Sequence, residues 1–289
     1  MEEGSTFNKD EEELGLYLNS FLEDRKVFPI PRKKCCGTSR SLYCTECCKL
    51  LVEKQEWPTS IQSGRLELPF DLDIILDDRR NSATGFHALV LCNESQSVKE
   101  ECQKVRLFDI EREDTLPNYE DEENTFILFP SSDSIPITAV AHSIKRLVVM
   151  DCKWTKSSSK NLPQLQNLKK VHLINAPESF FWRWHNAGKG MISTIEAIYF
   201  ASLEVAKSNN QLHEDNTENL IDIMWLFGIQ RSATAISAMR DGKPSPFSKD
   251  GKTLQRELRK TEKGSEKHLR DIAMGKKLKE NVRQNKESR

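Results

Sequence analysis

The sequence predicts an α/β domain built on a mostly parallel sheet, and three observations predict it. Short apolar runs recur between residues 71 and 174, most of them continuous rather than alternating, as in strands covered on both faces. Stretches of helical period lie among and after those runs. At 289 residues the chain is long enough to bury a substantial core. No apolar run approaches the roughly 18 residues that span a bilayer, so a membrane role is not expected.

Taken in order, residues 1–26 read as an acidic, flexible N-terminus. Its opening, "MEEGSTFNKDEEELG", lacks the basic start and apolar centre of a secretory signal. The chain is therefore expected in the nucleus or cytoplasm and not secreted, with its cysteines as thiols or metal ligands.

Residues 27–67 contain "CCGTSRSLYCTECC", which supplies Cys35, Cys36, Cys44, Cys47 and Cys48. The Cys44-x-x-Cys47 spacing lets two thiolates converge on one tetrahedral ion, and Cys36 or Cys35 lies close enough to complete the shell. Zinc (Zn2+) is the natural occupant of such a small zinc-knuckle-like segment. A closed thiolate shell has no open position for a substrate, so the role would be structural. Unligated cysteines are the alternative, because Cys36 forms no second C-x-x-C. Cys92, Cys102 and Cys152 are scattered and read as small buried hydrophobes.

Residues 68–240 form the main domain. Strands are expected at "DLDIIL" (71–76), "FHALVL" (86–91), "VRLF" (105–108), "FILF" (126–129), "RLVVM" (146–150) and "VHLI" (171–174). Helices are expected over 134–144, after Ile192, and over 217–240, where Leu220, Ile223, Met224 and Phe227 share a face. Residues 241–289 form a basic tail, with 14 Lys/Arg against 7 Asp/Glu over 249–289. That balance fits an arm following a phosphate backbone or a nuclear address, with a solvated charged segment as the plain alternative.

Two stretches carry chemistry. "RLVVMDCKW" ends a strand in Asp151, with Trp154 three residues later, and ligands of open α/β sheets bind beyond the carboxyl ends of strands. An Asp that merely caps the next segment is the competing reading. In "FFWRWHNAGKGMISTIEAIYF" (180–200), Ser193-x-x-Glu196 is a capping box, and Ile195, Ile198, Tyr199, Leu203 and Ala206 form a buried stripe. The preceding loop, with Arg183, Gly188, Lys189 and Gly190, brings cationic donors to a positive helix terminus, which is how anions are held.

The ordered set "TGFHA" (84–88), "LFP" (128–130), D-x-x-W (151–154), W-R (182–183) and S-T-I-E-A-I-Y (193–199), with the cysteine cluster, resembles the DTW-domain family of tRNA-uridine aminocarboxypropyltransferases, in its first eukaryotic subtype. The resemblance covers roughly residues 30–205. It implies a SPOUT-like sheet with a C-terminal trefoil knot that binds S-adenosyl-L-methionine. The implied reaction transfers the 3-amino-3-carboxypropyl group to N3 of a uridine in the tRNA D-loop, at position twenty, forming acp3U. It further implies catalytic roles for Asp151, Trp154 and Arg183, and donor contacts from Phe129, Pro130, Ser193, Thr194 and Glu196. Asp151 is the first choice of base and Glu196 the second. Arg183 would meet the donor carboxylate or a tRNA phosphate, and Trp154 would stack on a base. This chain departs from the family pattern at Lys33, at "DDRR" (77–80) and at Lys153. A SPOUT-like RNA methyltransferase and a non-catalytic zinc-knuckle RNA-binding adaptor are the alternative functions.

Overall fold

The computed structural model describes residues 9–23, 30–96, 105–112, 114–119, 123–152, 162–174, 176–182, 191–209 and 219–246. Two compact units divide the chain: residues 1–181 with 187–233, and residues 182–186 with 234–289.

The first unit opens with helix α1 (Lys9–Glu23). Within the segment expected to be flexible, Leu14 and Leu18 stand one turn apart and are fully buried, and the Tyr17 hydroxyl donates to Asp222 Oδ1 at 2.9 Å. The acids that suggested disorder, Asp10 to Glu12, sit in the first turn, where they complement the helix dipole.

Two small antiparallel hairpins follow: β1 (Lys33–Cys35) with β2 (Thr38–Arg40), and β3 (Tyr43–Cys44) with β4 (Lys49–Leu50). The loop of the first is Cys36-Gly37, both at positive φ (48° and 75°), the pattern of a type I′ turn. A short helix α2 (Thr59–Gln62) leads to the main sheet.

That sheet comprises β5 (Asp71–Asp77), β6 (Val105–Asp109), β7 (Thr125–Leu128), β8 (Ile135–Pro136), β9 (Arg146–Cys152) and β10 (Lys169–His172). Its order is β6-β5-β9-β7-β10-β8, and every pairing is parallel. Helices α3 (Gly85–Gln96), α4 (Pro163–Gln166), α5 (Thr194–Ser208) and α6 (Trp225–Arg240) complete the elements, with a 3-10 turn at Ile221–Met224 before α6. Five of the expected strands form.

The sixth does not: "FHALVL" lies inside α3. Residues 83–92 are buried without interruption, so no polar face marks the helical period. The helix expected over 134–144 is replaced by β8 and two 3-10 turns, Ile137–Ala139 and Ala141–Ser143. Pro136 has no N–H to carry a helix forward, and Val140 at φ −125° separates the turns.

The two sheet faces follow from strand alternation. On one, Ile75, Ile127 and Val148 pack with Tyr119, Leu165 and Leu168. On the other, Leu72, Ile74 and Leu76 pair in register with Leu147, Val149 and Asp151. Both faces are largely apolar, which is why β5 reads as a hydrophobic run and not as an alternation of apolar and polar residues. Its one charge in mid-strand, Asp73, is fully buried and satisfied: Arg106 grips it with Nε at 2.8 Å and Nη2 at 2.7 Å, and the Tyr119 hydroxyl donates at 2.8 Å. In the second unit, residues 234–240 continue α6, closed by Asp241 N–H to Ser237 O (3.1 Å) and Lys243 N–H to Ala238 O (2.8 Å).

Candidate active site and metal centre

Neighbouring strands β5 and β9 exit the sheet in opposite directions. The chain leaves β5 through α3 to β6 on one side, whereas β9 leads to β10 beyond β7 on the other. In open α/β sheets such a divergence is where a ligand crevice forms, at the carboxyl ends of the strands. Asp151 stands there, opposite Leu76 of β5, and is 6% exposed.

Its carboxylate is held from two helix N-termini. The Gly85 amide, at the start of α3, donates to Oδ2 at 2.6 Å, and the Thr194 hydroxyl, at the start of α5, donates as well. A side chain at residue 85 is excluded, since its Cβ would sit 2.8 Å from Asp151 Oδ2 and 2.9 Å from Ile74 Cγ2. Burial pushes the Asp151 carboxyl up to about 6, with Asp78 adding repulsion, while the Gly85 and Thr194 donors pull it down. The group is therefore ionised at neutral pH yet basic enough to take a proton. Thr84 Oγ1 accepts the Ile195 amide at 3.3 Å, tying the two helix starts together.

Glu196 is fully buried in the first turn of α5, and the predicted capping box forms. Oε2 accepts the Ser193 amide (2.8 Å), the Ser193 hydroxyl (2.6 Å) and the Ser179 hydroxyl (2.8 Å), and Oε1 accepts the Phe180 amide (2.6 Å). Burial raises its pKa against those donors. With four donors around it, this carboxylate fastens residues 179–180 to the helix start. Phe129 directly follows β7, which lies next to β9 in the sheet, and is half-buried against the core; Pro130 follows it and is exposed.

The sulfurs of Cys35, Cys36, Cys44 and Cys47 all lie within 4.8 Å of one another. Cys35 Sγ is 3.5 Å from Cys47 Sγ and 3.9 Å from Cys36 Sγ, against about 3.8 Å for thiolates on a tetrahedral zinc with 2.3 Å bonds. Burial disfavours a thiolate at Cys44, but the amides of Cys47 and Glu46 donate to its sulfur, and its pKa drops to about 7; Cys35, bonded to Cys47 and Cys44, rises to about 12. The group favours a first negative charge and resists more, which a divalent cation relieves. A zinc ion would be held by these four sulfurs in a structural role. Cys48 is corrected out of the set: at φ 53° it turns the chain, and its Sγ lies 4.0 Å from Thr45 O instead. Lys33 pairs with Glu53, beside the hairpin that carries Cys35.

Of the residues singled out in sequence, Asp151, Thr194, Ser193 and Glu196 come together around one crevice wall. Trp154 and Arg183 lie outside the described residues, as do Lys153 and residues 188–190. Sequence reasoning quoted Thr84 and Gly85 within "TGFHA" and Arg80 within "DDRR" but gave none of them a role in a site. Arg80 Nη1 pairs with Asp109 at 2.6 Å, Nη2 donates to Thr45 O, and the guanidinium lies 4.8 Å over the Phe86 ring. It joins the cysteine segment to β6 and α3. Asp77 and Asp78, at the end of β5, satisfy the same strand-end rule that pointed to Asp151.

A family model described as the DTW domain matches residues 41–228. A Xenopus tropicalis protein named tRNA-uridine aminocarboxypropyltransferase 1 is 24% identical over 246 residues, covering 66% of this chain and 78% of that protein. A Mus musculus protein of the same name is 26% identical over 227 residues, covering 61% and 69%. No solved structure matches the chain.

Proposed function

The chain belongs to the DTW-domain family, and from that premise we propose that it transfers the 3-amino-3-carboxypropyl group from S-adenosyl-L-methionine to N3 of a uridine in the tRNA D-loop. The observation that carries the reading is the buried Asp151 carboxylate at the strand divergence, held between the starts of α3 and α5. The names of the Xenopus and mouse relatives supply the substrate class. A trefoil knot in the C-terminal part belongs to the same reading, supported by β9 and β10 inserting between strands that precede them in the chain.

Uridine N3 is protonated at neutral pH and must be activated. Asp151 takes the N3 proton as the nitrogen lone pair attacks the γ-carbon of the donor. The carbon–sulfur bond breaks, its electron pair neutralises the sulfonium, and methylthioadenosine leaves. Asp77 and Asp78 place negative charge beside the crevice, which favours a cationic donor. The start of α5 offers amide dipoles to the donor carboxylate. A sulfonium is already a good leaving group, so alignment of nitrogen, carbon and sulfur supplies most of the acceleration. Trp154 and Arg183 enter this mechanism as a stacking surface and a carboxylate partner.

The test is incubation of the protein with unmodified tRNA and the donor, followed by nucleoside mass spectrometry. The proposal expects acp3U from the wild type and loss of product with Asp151→Ala. A methylated uridine would make the protein a methyltransferase, and no product with no donor binding would leave an RNA-binding adaptor.

A further inference from the structure

A cavity of about 170 Å³ opens beside the cysteine segment, lined by Arg32, Arg40, Tyr43, Thr45, Asn81 and Gln230 among others. It is several times the roughly 30 Å³ that one water occupies and well below the roughly 300 Å³ at which small-molecule sites begin. That volume is small for an adenosyl donor and sufficient for a single phosphate group. Among the described residues no carboxylate lines it, and guanidinium, amide and hydroxyl donors dominate its wall.

Two of those lining groups are buried and make no hydrogen bond among the described residues: Arg40 Nε and Thr45 Oγ1. Thr45 is 4% exposed. Buried polar atoms without partners are rare, and two on residues of one cavity wall leave that wall with unmet hydrogen-bonding capacity. A basic run, Arg32-Lys33-Lys34, lies on β1 and the residue before it, and Lys33 pairs in register with Arg40. We propose that this cavity seats a backbone phosphate of the tRNA, with Arg40 as its charged partner and Thr45 as a neutral donor. The proposal rests on reading the chain as a tRNA-modifying enzyme. It gives the cysteine segment a function beyond structure: the hairpins that a zinc ion would brace hold a phosphate contact in position relative to the crevice.

The experiment measures binding of an unmodified tRNA transcript by the full chain across a salt series, for wild type, Arg40→Gln and Thr45→Val. Arg40→Gln should bind roughly tenfold more weakly at low salt, with the log–log salt slope shallower by about 0.7–0.9, one phosphate contact. Thr45→Val keeps the shape and charge of the fold and should bind about threefold more weakly with an unchanged slope; it decides the question if Arg40→Gln does not fold. Wild-type affinity and slope in both variants would overturn the proposal. So would a cavity that takes only the free ion, seen as inorganic phosphate raising the melting temperature of the wild type but not of Arg40→Gln while tRNA binding is equal in both. Wild-type transfer activity is measured in parallel. Active wild type with unaltered variants sinks the phosphate site alone, and weakened variants of a wild type that makes no acp3U sink the enzymatic reading alone.

Discussion

The Asp151 carboxyl is lifted from its ordinary 3.8 to about 6 because it is buried, so the native state favours its neutral form. Its contribution to stability is therefore greatest below pH 3.8 and declines as pH rises through 6, where the ionised group must be kept out of water. The displacement corresponds to about 3 kcal/mol. Asp151→Asn, neutral at every pH, should unfold at higher denaturant than wild type by about that amount at pH 7.5, and the difference should vanish near pH 4. The same variant should lose about 10²–10⁴-fold in transfer, and wild-type kcat/KM should climb with pH through about 6. A variant less stable at pH 7.5 would mean that the carboxylate is held by donors more than it is penalised by burial. Gly85→Ala tests the holding geometry, since its methyl would press on both Asp151 Oδ2 and Ile74. A cost of about 1–3 kcal/mol in unfolding, with reduced transfer, is expected. Asp151 and the Ser193–Glu196 box were legible in the sequence because a strand end and a cap are local features. The roles of Thr84 and Gly85, although both stand in the quoted "TGFHA", were not, since their partners lie 111 and 66 residues away.

The same contrast holds for whole elements. Strands β5, β6, β7 and β9 announce themselves as apolar runs because both sheet faces are covered. Helix α3 is covered all round as well, so its sequence carries the same signal and reads as a strand; length alone separates the two. Helix α1 was obscured in the opposite way, its buried Leu14 and Leu18 set among acids that suggest a solvated segment. For the cysteine segment, spacing identified Cys44 and Cys47, but only the folded hairpins bring both Cys35 and Cys36 in and turn Cys48 aside. Cys44→Ser should abolish bound zinc by elemental analysis and lower the melting temperature, and a chelator should do the same to wild type while leaving the variant unchanged. Arg80 transmits this brace to the sheet. Arg80→Ala leaves Asp109, 1% exposed, without its 2.6 Å partner but with Arg112 Nε at 3.6 Å and the Glu111 amide at 3.1 Å, and should cost about 1–3 kcal/mol in denaturant unfolding. The double variant Arg80→Ala with Asp109→Asn should recover part of that loss, because the buried charge no longer has to be balanced by Arg112 alone.

At the scale of the molecule, a net charge of −1 conceals a division that matters for a polyanionic substrate. Residues 249–289 hold 14 Lys/Arg and 7 Asp/Glu, leaving 29 against 37 in the rest of the chain. The rest of the chain is therefore acidic and, taken as a whole, repels RNA at long range; no helix among the described residues is long and apolar enough to cross a membrane and offer another reason for basic flanks. Binding must come from local exceptions, of which the arginine-lined cavity is one and the C-terminal segment the larger. Their signatures differ. A single seated phosphate changes the salt slope by less than one, whereas an arm tracking several phosphates changes it by about 0.7–0.9 for each. Deleting residues 249–289 should accordingly flatten the slope by several and weaken binding most at low salt, with the deleted and intact proteins converging as salt rises. If the slopes coincide, the basic segment is an address or a spacer, and the acidic remainder has to hold tRNA through contacts concentrated at the crevice and the cavity.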